Sequence, residues 1–370
     1  MTFGVFTHVP HSLYQGQYYA YGPYVKEMNL WGNHVDDIIL VAPKTNKAPD
    51  AIDIAYTNSQ LRHIEIPSFS LLGIGSKVKA IFKIPLIGWR IFWAMRKVDH
   101  IHLRCPGNIG LIACFVQILF PKKPKTAKYA GNWDPKAKQP WSYRWQKAIL
   151  SNTLFTKNMQ ALVYGDWEGR SRNIKPFFTA SYHQNQIDST IVKDFKPPYK
   201  FLFIGTLSPG KQPIKAIELV QQLCKDFPGS SLDFYGEGAE RSAIEGFITE
   251  HQLEAVVQLH GNQPSEQILK AYRSAHFLVL NSLSEGWPKV VAEAMFWGVI
   301  PIASAVSCVP WMIDNQTRGI LLTGKDDYQR VLKDLSDKTQ LDSHSRLAMQ
   351  WSQEYTLDRF ENEIKKLLRP

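Results

Sequence analysis

Cysteine is scarce in this 370-residue chain: Cys105, Cys114, Cys224 and Cys308 are the only four, and no two of them form a Cys-x-x-Cys pair. No histidine cluster stands beside them, which argues against a disulfide framework or a zinc site and for a reducing compartment. No stretch offers eighteen uncharged apolar residues, so no segment is expected to span a membrane. Residues 1–8 lack the basic start and long apolar run of a secretion signal, and the expected location is cytoplasmic. The chain has no Asp-x-Asp motif, and no metal site is expected. Gly236-Glu237-Gly238 lacks the third glycine of a Gly-x-Gly-x-x-Gly turn, which weakens a dinucleotide-dependent oxidoreductase reading. The basic residues come without a nucleic-acid recognition motif, so no nucleic-acid partner is expected.

A sizeable core is present, with 44% hydrophobic and 21% charged residues. The net charge of +10 is uneven. Residues 1–198 hold 25 Lys and Arg against 12 Asp and Glu, or +13; residues 199–370 hold 18 against 21, or −3. The first half is therefore expected to meet something anionic, such as a membrane surface or a phosphorylated molecule.

Short apolar strands alternate with helical stretches throughout, which predicts parallel α/β architecture. Strands are expected at 3–7, 37–42, 63–67, 100–104, 126–130 and 161–164, with helices at 22–31, 76–97, 109–119 and 142–150. A polar stretch ending in Lys-Pro-Pro reads as a linker over 184–198, after a first domain over 1–183. The alternation restarts at Tyr199, giving a second domain over 199–345 and a fully helical end over 346–370.

The most informative segment runs from Ser284 through Glu285, Gly286, Trp287, Pro288, Lys289 and Val290 to Glu293-Ala294-Met295. A strand ends just before it and a helix begins inside it. Pro288 suits a first helical turn, where its missing N–H costs nothing. Gly286 permits a tight turn and close approach by a ligand. Free N–H groups at the helix start, with the helix dipole, form an anion site that would fit a diphosphate. The two oxygens of Glu293 would accept hydrogen bonds from adjacent ribose hydroxyls, and Glu285 would bind hydroxyls of a sugar. Glutamates on helices are also common solvated residues; the Gly-Trp-Pro turn between these two is what makes the pair informative.

This segment, continuing Phe296-Trp297-Gly298-Val299-Ile300-Pro301, resembles the signature of glycosyltransferase family 4. Phe203-Ile204-Gly205-Thr206-Leu207 with Lys211, and Tyr235-Gly236-Glu237-Gly238, resemble two further loops of that family. The first half resembles it less, at Gly16, residues 99–110 and the closing helix. The resemblance implies the GT-B fold: two Rossmann-like parallel-sheet domains facing across a cleft, with the C-terminal helix crossing back to the first. It also implies retaining transfer of sugar from a UDP- or GDP-sugar co-substrate, without a metal or other cofactor, to a glycan, lipid-linked or phosphorylated acceptor. Lys211 would neutralise the diphosphate, the backbone of Gly286–Lys289 would cradle it, and His260 and Gly261 would lie near the base. The family's arginine beside the lysine is here Thr206, with Lys289 as a replacement, and its paired glycines reduce to Gly16. His102 or Arg104 would match a catalytic cleft histidine, while His8, His11, Asn132, Trp133 and Asp134 would face the acceptor. An epimerase or hydrolase of the same fold, or a non-catalytic nucleotide-sugar-binding protein, are the rival classes.

Residues 76–97 interleave Lys and Arg with Trp, Phe and Ile, as suits a segment lying on anionic lipid or one covering a sheet. Pro85 and Gly88 are expected to break or kink it.

Overall fold

The computed structural model describes all residues except 51, 70–73, 189, 325 and 370, and describes residues 74–81 by backbone alone. The chain divides into two compact units, Met1–Phe177 with Glu361–Pro370, and Phe178–Phe360.

The first unit contains β1 (Thr2–Phe6), β2 (Ser12–Tyr14), β3 (Gln17–Tyr21), α1 (Gly22–Gly32), β4 (Asp37–Ala42), β5 (Asp53–Ala55) and β6 (Leu61–Glu65). After these come α2 (Ile74–Lys97), β7 (His100–Cys105), α3 (Asn108–Val116), β8 (Lys125–Tyr129), α4 (Trp141–Ser151), β9 (Met159–Tyr164) and β10 (Ile174–Phe177). Seven strands form a parallel sheet in the order β10-β9-β8-β7-β1-β4-β6. Every residue of β7 and β8 is buried, as expected of central parallel strands covered on both faces. Ile87, Ile91 and Met95 of α2 pack into one core with Ile109 and Ala113 of α3 and Ile149 of α4.

Two expectations are corrected here. Helix α2 runs through Pro85 and Gly88 without a break. A proline inside a helix costs about 3 kcal/mol, while burying one Ile side chain returns roughly 1.5–3 kcal/mol, so Ile87, Ile91 and Met95 outweigh it. Gly16 heads the β2–β3 hairpin, where Gln15 and Gly16 both have positive φ, 48° and 78°, the backbone of a primed two-residue turn. The turn itself accounts for this glycine.

The second unit holds β11 (Lys200–Ile204), α5 (Pro213–Asp226), β12 (Ser231–Tyr235), α6 (Arg241–Glu250), β13 (Val257–Leu259), α7 (Ser265–Ser274) and β14 (Phe277–Leu280). It continues with α8 (Lys289–Phe296), β15 (Ile300–Ser304), α9 (Val309–Met312), β16 (Ile320–Leu322), α10 (Asp327–Leu335) and α11 (Lys338–Gln353). Its sheet is parallel in the order β13-β12-β11-β14-β15-β16. Phe195, from the stretch read as linker, is buried in this unit's core. The helical C-terminal end consists of the last part of α11 and one further helix. After α11, the Thr356 hydroxyl accepts from Arg359 N at 3.2 Å and caps α12 (Leu357–Leu368).

One buried charge cluster braces the first unit. Glu27 on α1 accepts from Arg104 Nη1 at 2.5 Å and from Lys128 Nζ at 2.9 Å. Burial would raise the Glu27 carboxyl, but the two cations overcome it and hold it at about 2. Removing the carboxylate leaves two cations in the core, so Glu27→Ala is expected to destabilise by about 3–5 kcal/mol in urea unfolding. Because the folded carboxyl is depressed, its stabilisation is complete above the ordinary value of 4.5 and is lost as pH falls towards 2. His11, which burial lowers to about 3, adds a loss that starts once the unfolded histidine protonates below 6.5. Urea midpoints measured between about pH 7 and pH 3 should fall throughout this window, and Glu27→Ala should remove the acidic stage.

Candidate functional site

The loops leaving the carboxyl ends of β11, β12 and β13 are sewn together through their backbones. Gly205 N donates to Tyr235 O, Leu207 N to Glu237 O, and Gly236 N to Gly261 O, each at 2.9 Å. Gly236, at φ +142°, lies so close that a Cβ would stand 2.0 Å from Gly205 O, and one on Gly238 would stand 2.2 Å from Leu207 O. Glycine is required at both because backbone meets backbone.

Strand order in this sheet reverses between β11 and β14, the place where open α/β sheets leave a crevice outside their carboxyl ends. There Leu283 N donates to Gly210 O at 2.8 Å, joining the loop after β14 to the loop after β11. Lys211 Nζ forms an ion pair with Glu285 Oε1 across the same junction. Thr206 is exposed on the first of these loops.

Helix α8 begins directly beyond Glu285. Pro288 is its N-cap, and the Pro288 carbonyl accepts from Val291 N at 2.9 Å. The amides of Lys289 and Val290 precede the first N–H that donates within the helix, as in the opening turn of any helix, and carry the positive end of its dipole. The Gly286 carbonyl accepts from Ser307 Oγ at 3.3 Å and Cys308 Sγ at 3.1 Å, which fixes the turn from behind. Trp287 is buried against Trp311, Trp351 and Tyr355, with ring centroids 5.9–6.2 Å away. Its indole therefore anchors the turn.

Glu293 projects from the middle of α8. Its Oε1 accepts from Ser181 Oγ at 2.5 Å and its Oε2 from the Tyr272 hydroxyl at 3.2 Å. Burial first, then the Glu293 charge, raises the Tyr272 phenol well above its ordinary value, so it stays a donor. His260 Nε2 is hydrogen-bonded to Asp233 Oδ1 at 2.6 Å, and its ring stacks on Tyr235 at 4.6 Å. Gly261 follows at φ +68°.

In the first unit the strand order reverses between β1 and β7. His8, after β1, and Gly107 and Asn108, after β7, line a crevice there with Pro43, Phe69 and Tyr143. A Cβ on Gly107 would come within 2.6 Å of His8 Nδ1. Partial burial, then the Arg104 charge, lowers the His8 pKa. Four other residues expected to take part do not. His11 is fully buried, with Nδ1 on Val9 O at 2.8 Å and Nε2 on the Tyr56 hydroxyl at 2.9 Å. His102 is also fully buried, bonded to Thr126 Oγ1 at 2.8 Å and set between Phe3 and Trp31. Arg104 is committed to Glu27. Trp133 packs edge-on against Tyr129, at 4.9 Å, inside the core, so its face is not offered to a sugar. Asn132 and Asp134 shape the loop after β8, where Asn132 Oδ1 accepts from Asp134 N at 2.9 Å.

Sequence reading passed over Ser181, Tyr272 and Glu27. Tyr272 lies 21 residues before Glu293 and Ser181 lies 112 before it, so no local pattern pairs them.

Two doubly wound Rossmann-like units, the second with an ion pair and a helix start at its switch point, constitute a GT-B architecture. Residues 186–351, all within the second unit, match the family model of glycosyl transferases group 1. The chain is 25% identical over 182 residues to the D-inositol 3-phosphate glycosyltransferase of Corynebacterium kroppenstedtii, covering 44% of this chain and 40% of that protein. It is 25% identical over 158 residues to the putative colanic acid biosynthesis glycosyltransferase WcaL of Escherichia coli K12, covering 41% and 39%. The matched region thus spans about two-fifths of these curated relatives. Anabaena HepE, solved with UDP, superposes with a TM-score of 0.69 at 14% identity over 99% of each chain. Sucrose-phosphate synthase from Thermosynechococcus elongatus superposes with a TM-score of 0.66 at 17% identity, over 99% of this chain and 98% of that one.

The sewn loops make a sharp prediction. Gly236→Ala should lower stability by roughly 3 kcal/mol or more, since backbone must move. Gly210→Ala, whose Cβ would have nothing within 4 Å, should stay within about 0.5 kcal/mol of wild type in thermal denaturation.

Proposed function

We propose that this protein is a retaining, metal-independent glycosyltransferase. It moves a sugar from a UDP- or GDP-sugar to a glycan, lipid-linked or phosphorylated acceptor, in cell-surface polysaccharide or glycolipid synthesis on the cytoplasmic side of a membrane. The observation that carries this reading is the Lys211–Glu285 pair set at the β11/β14 switch point, directly before the opening turn of α8.

In this reading the diphosphate lies against the amides of Lys289 and Val290, and Lys211 turns from Glu285 to share its charge with the phosphates. The displaced carboxylate is then available for hydroxyls of the donor sugar. Glu293, held by Ser181 and Tyr272, receives the ribose hydroxyls. Gly236, His260 and Gly261 border the base side.

As the bond to the sugar breaks, negative charge grows on the leaving diphosphate. Lys211, Lys289 and the helix-start amides stabilise it without reorganising, which is the largest catalytic contribution in sites of this kind. The departing phosphate takes the acceptor's proton. His8, expected with His11 on the acceptor side, opens onto its own sheet's crevice and keeps that role, whereas His11 and His102 are buried. The match of residues 186–351 to the glycosyl transferases group 1 model and the sugar-transfer names of the relatives support this reading.

Thermal shift with UDP, GDP and ADP tests the donor site: one nucleotide should raise the melting temperature, because ligand binding stabilises the folded state. Lys211→Ala should abolish that shift and cut turnover by about 100-fold. A wild-type protein that no nucleoside diphosphate protects would overturn the assignment. Among nucleotide sugars, slow hydrolysis supports a transferase. Conversion to an epimer, or binding without turnover, would replace this reading with an epimerase or a binding protein.

A further inference from the structure

Helix α2 carries two apolar stripes. Ile87, Ile91 and Met95 face the core. Phe82, Leu86, Trp89 and Trp93 recur at intervals of four, three and four residues on the opposite side, with Phe82 79% and Trp89 61% exposed. A helix that covers a sheet needs only the first stripe. Its neighbours repeat the pattern. Phe115 near the end of α3, Leu119 in the short turn after it, and Trp141 and Trp145 on α4 are exposed, with Trp145 at 56%. The three helices cover the same core, α2 packing on α3 and α3 on α4. The Phe115 and Trp145 rings are 6.0 Å apart, so the outward aromatics of α3 and α4 adjoin. Beside them lies a groove lined by Arg144, Trp145, Ala148, Ile149, Asn152 and Phe155.

The charge around this surface has one sign. Residues 66–157 contain 16 Lys and Arg and 2 Asp and Glu, or +14. Several cations are used internally: Arg104 and Lys128 on Glu27, Lys123 on the carbonyls closing α2, Lys125 on Phe120 O. Arg96, Lys97, Lys122, Arg144 and Lys157 remain exposed; Arg144 lines the groove with Trp145, and the Arg96 guanidinium lies 4.7 Å above the Trp93 ring.

We propose that the outer side of α2, α3 and α4 lies on an anionic lipid bilayer. Indole and phenyl rings ringed by lysine and arginine match the interfacial zone, where rings enter the headgroup boundary and cations meet phosphate. Interfaces between proteins deplete lysine, and a second copy would set exposed cations such as Arg96, Lys97 and Arg144 against their like. Among the described residues no helix is long and apolar enough to cross a membrane, so the contact is a surface one. The proposal concerns the first unit alone, and it deepens the transferase reading by giving a lipid-linked acceptor a place to be met.

The test uses the full chain with vesicles of phosphatidylcholine alone and with about one-third phosphatidylglycerol, at low salt. Cosedimentation with a blue shift of tryptophan emission is expected on the anionic vesicles only. Replacing Trp89, Trp93 and Trp145 by Ser should weaken it on the order of tenfold, and Arg96→Glu with Lys97→Glu and Arg144→Glu should abolish it. All six side chains are exposed or half-exposed, so the variants should keep the wild-type melting temperature and its response to nucleoside diphosphates. That control separates failure of this surface from failure of the donor site. Equal binding to neutral vesicles, binding to neither, or lipid-free self-association that the tryptophan variant abolishes would each overturn the proposal.

Discussion

Lys211 and Glu285 stand 74 residues apart and meet because a parallel sheet reverses its strand order between β11 and β14. The other features of the second unit's site follow from that reversal. It places two strand-end loops side by side, where Leu283 N can reach Gly210 O, and it points α8 at the junction. An ion pair with the Glu285 side chain mostly buried is held by these loops rather than by its own Coulomb energy, which partial exposure of Lys211 would screen. The sewn glycines matter for the same reason. With Gly205, Gly236 and Gly261 in backbone contact, the three loops beside the junction are fixed relative to one another, and a site that must stabilise growing charge benefits from such rigidity.

The histidines show how burial sorts residues that look alike in a sequence. His8, His11 and His102 all sit on or just after the central strands β1 and β7. His102 points between Phe3 and Trp31, and burial drives its pKa far down. His11 is enclosed with Tyr56. Only His8 opens onto the crevice between Gly107 and Pro43. The same sorting divides the basic residues of the first unit. Lys123 and Lys125 donate to backbone carbonyls at the ends of helical segments, and Lys125 is lowered to about 8 by burial. A count of +13 therefore overstates what this half presents to solvent, although the cations beside Trp89, Trp93 and Trp145 do lie at the surface.

Much of the fold was legible from strand and helix periodicity, because parallel strands buried on both faces read as short apolar runs and the surrounding helices carry a core stripe. The short strands β2, β3, β5, β10 and β16 escaped, being three to five residues long and, except for the fully buried β16, only partly buried. Helix α2 escaped in part because Pro85 is a local signal, whereas the Ile and Met burial that overrides it is tertiary. Of the candidate site, the segment from Glu285 to Glu293 was legible because its spacing, its Gly-Trp-Pro turn and the helix start are all local. Ser181 and Tyr272 were not, since they reach Glu293 only through packing.

The sequence by itself thus determined the α/β alternation, the anion-ready start of α8, the two flanking glutamates and the uneven charge, all properties of neighbours along the chain. Tertiary structure decided which histidine is open, that Arg104 and Lys128 serve Glu27, that Trp133 and Trp287 are core, and that aromatic rings on three helices share one outer surface. Those outcomes depend on which side of an element faces the core, and that is set by contacts between residues tens to hundreds of positions apart.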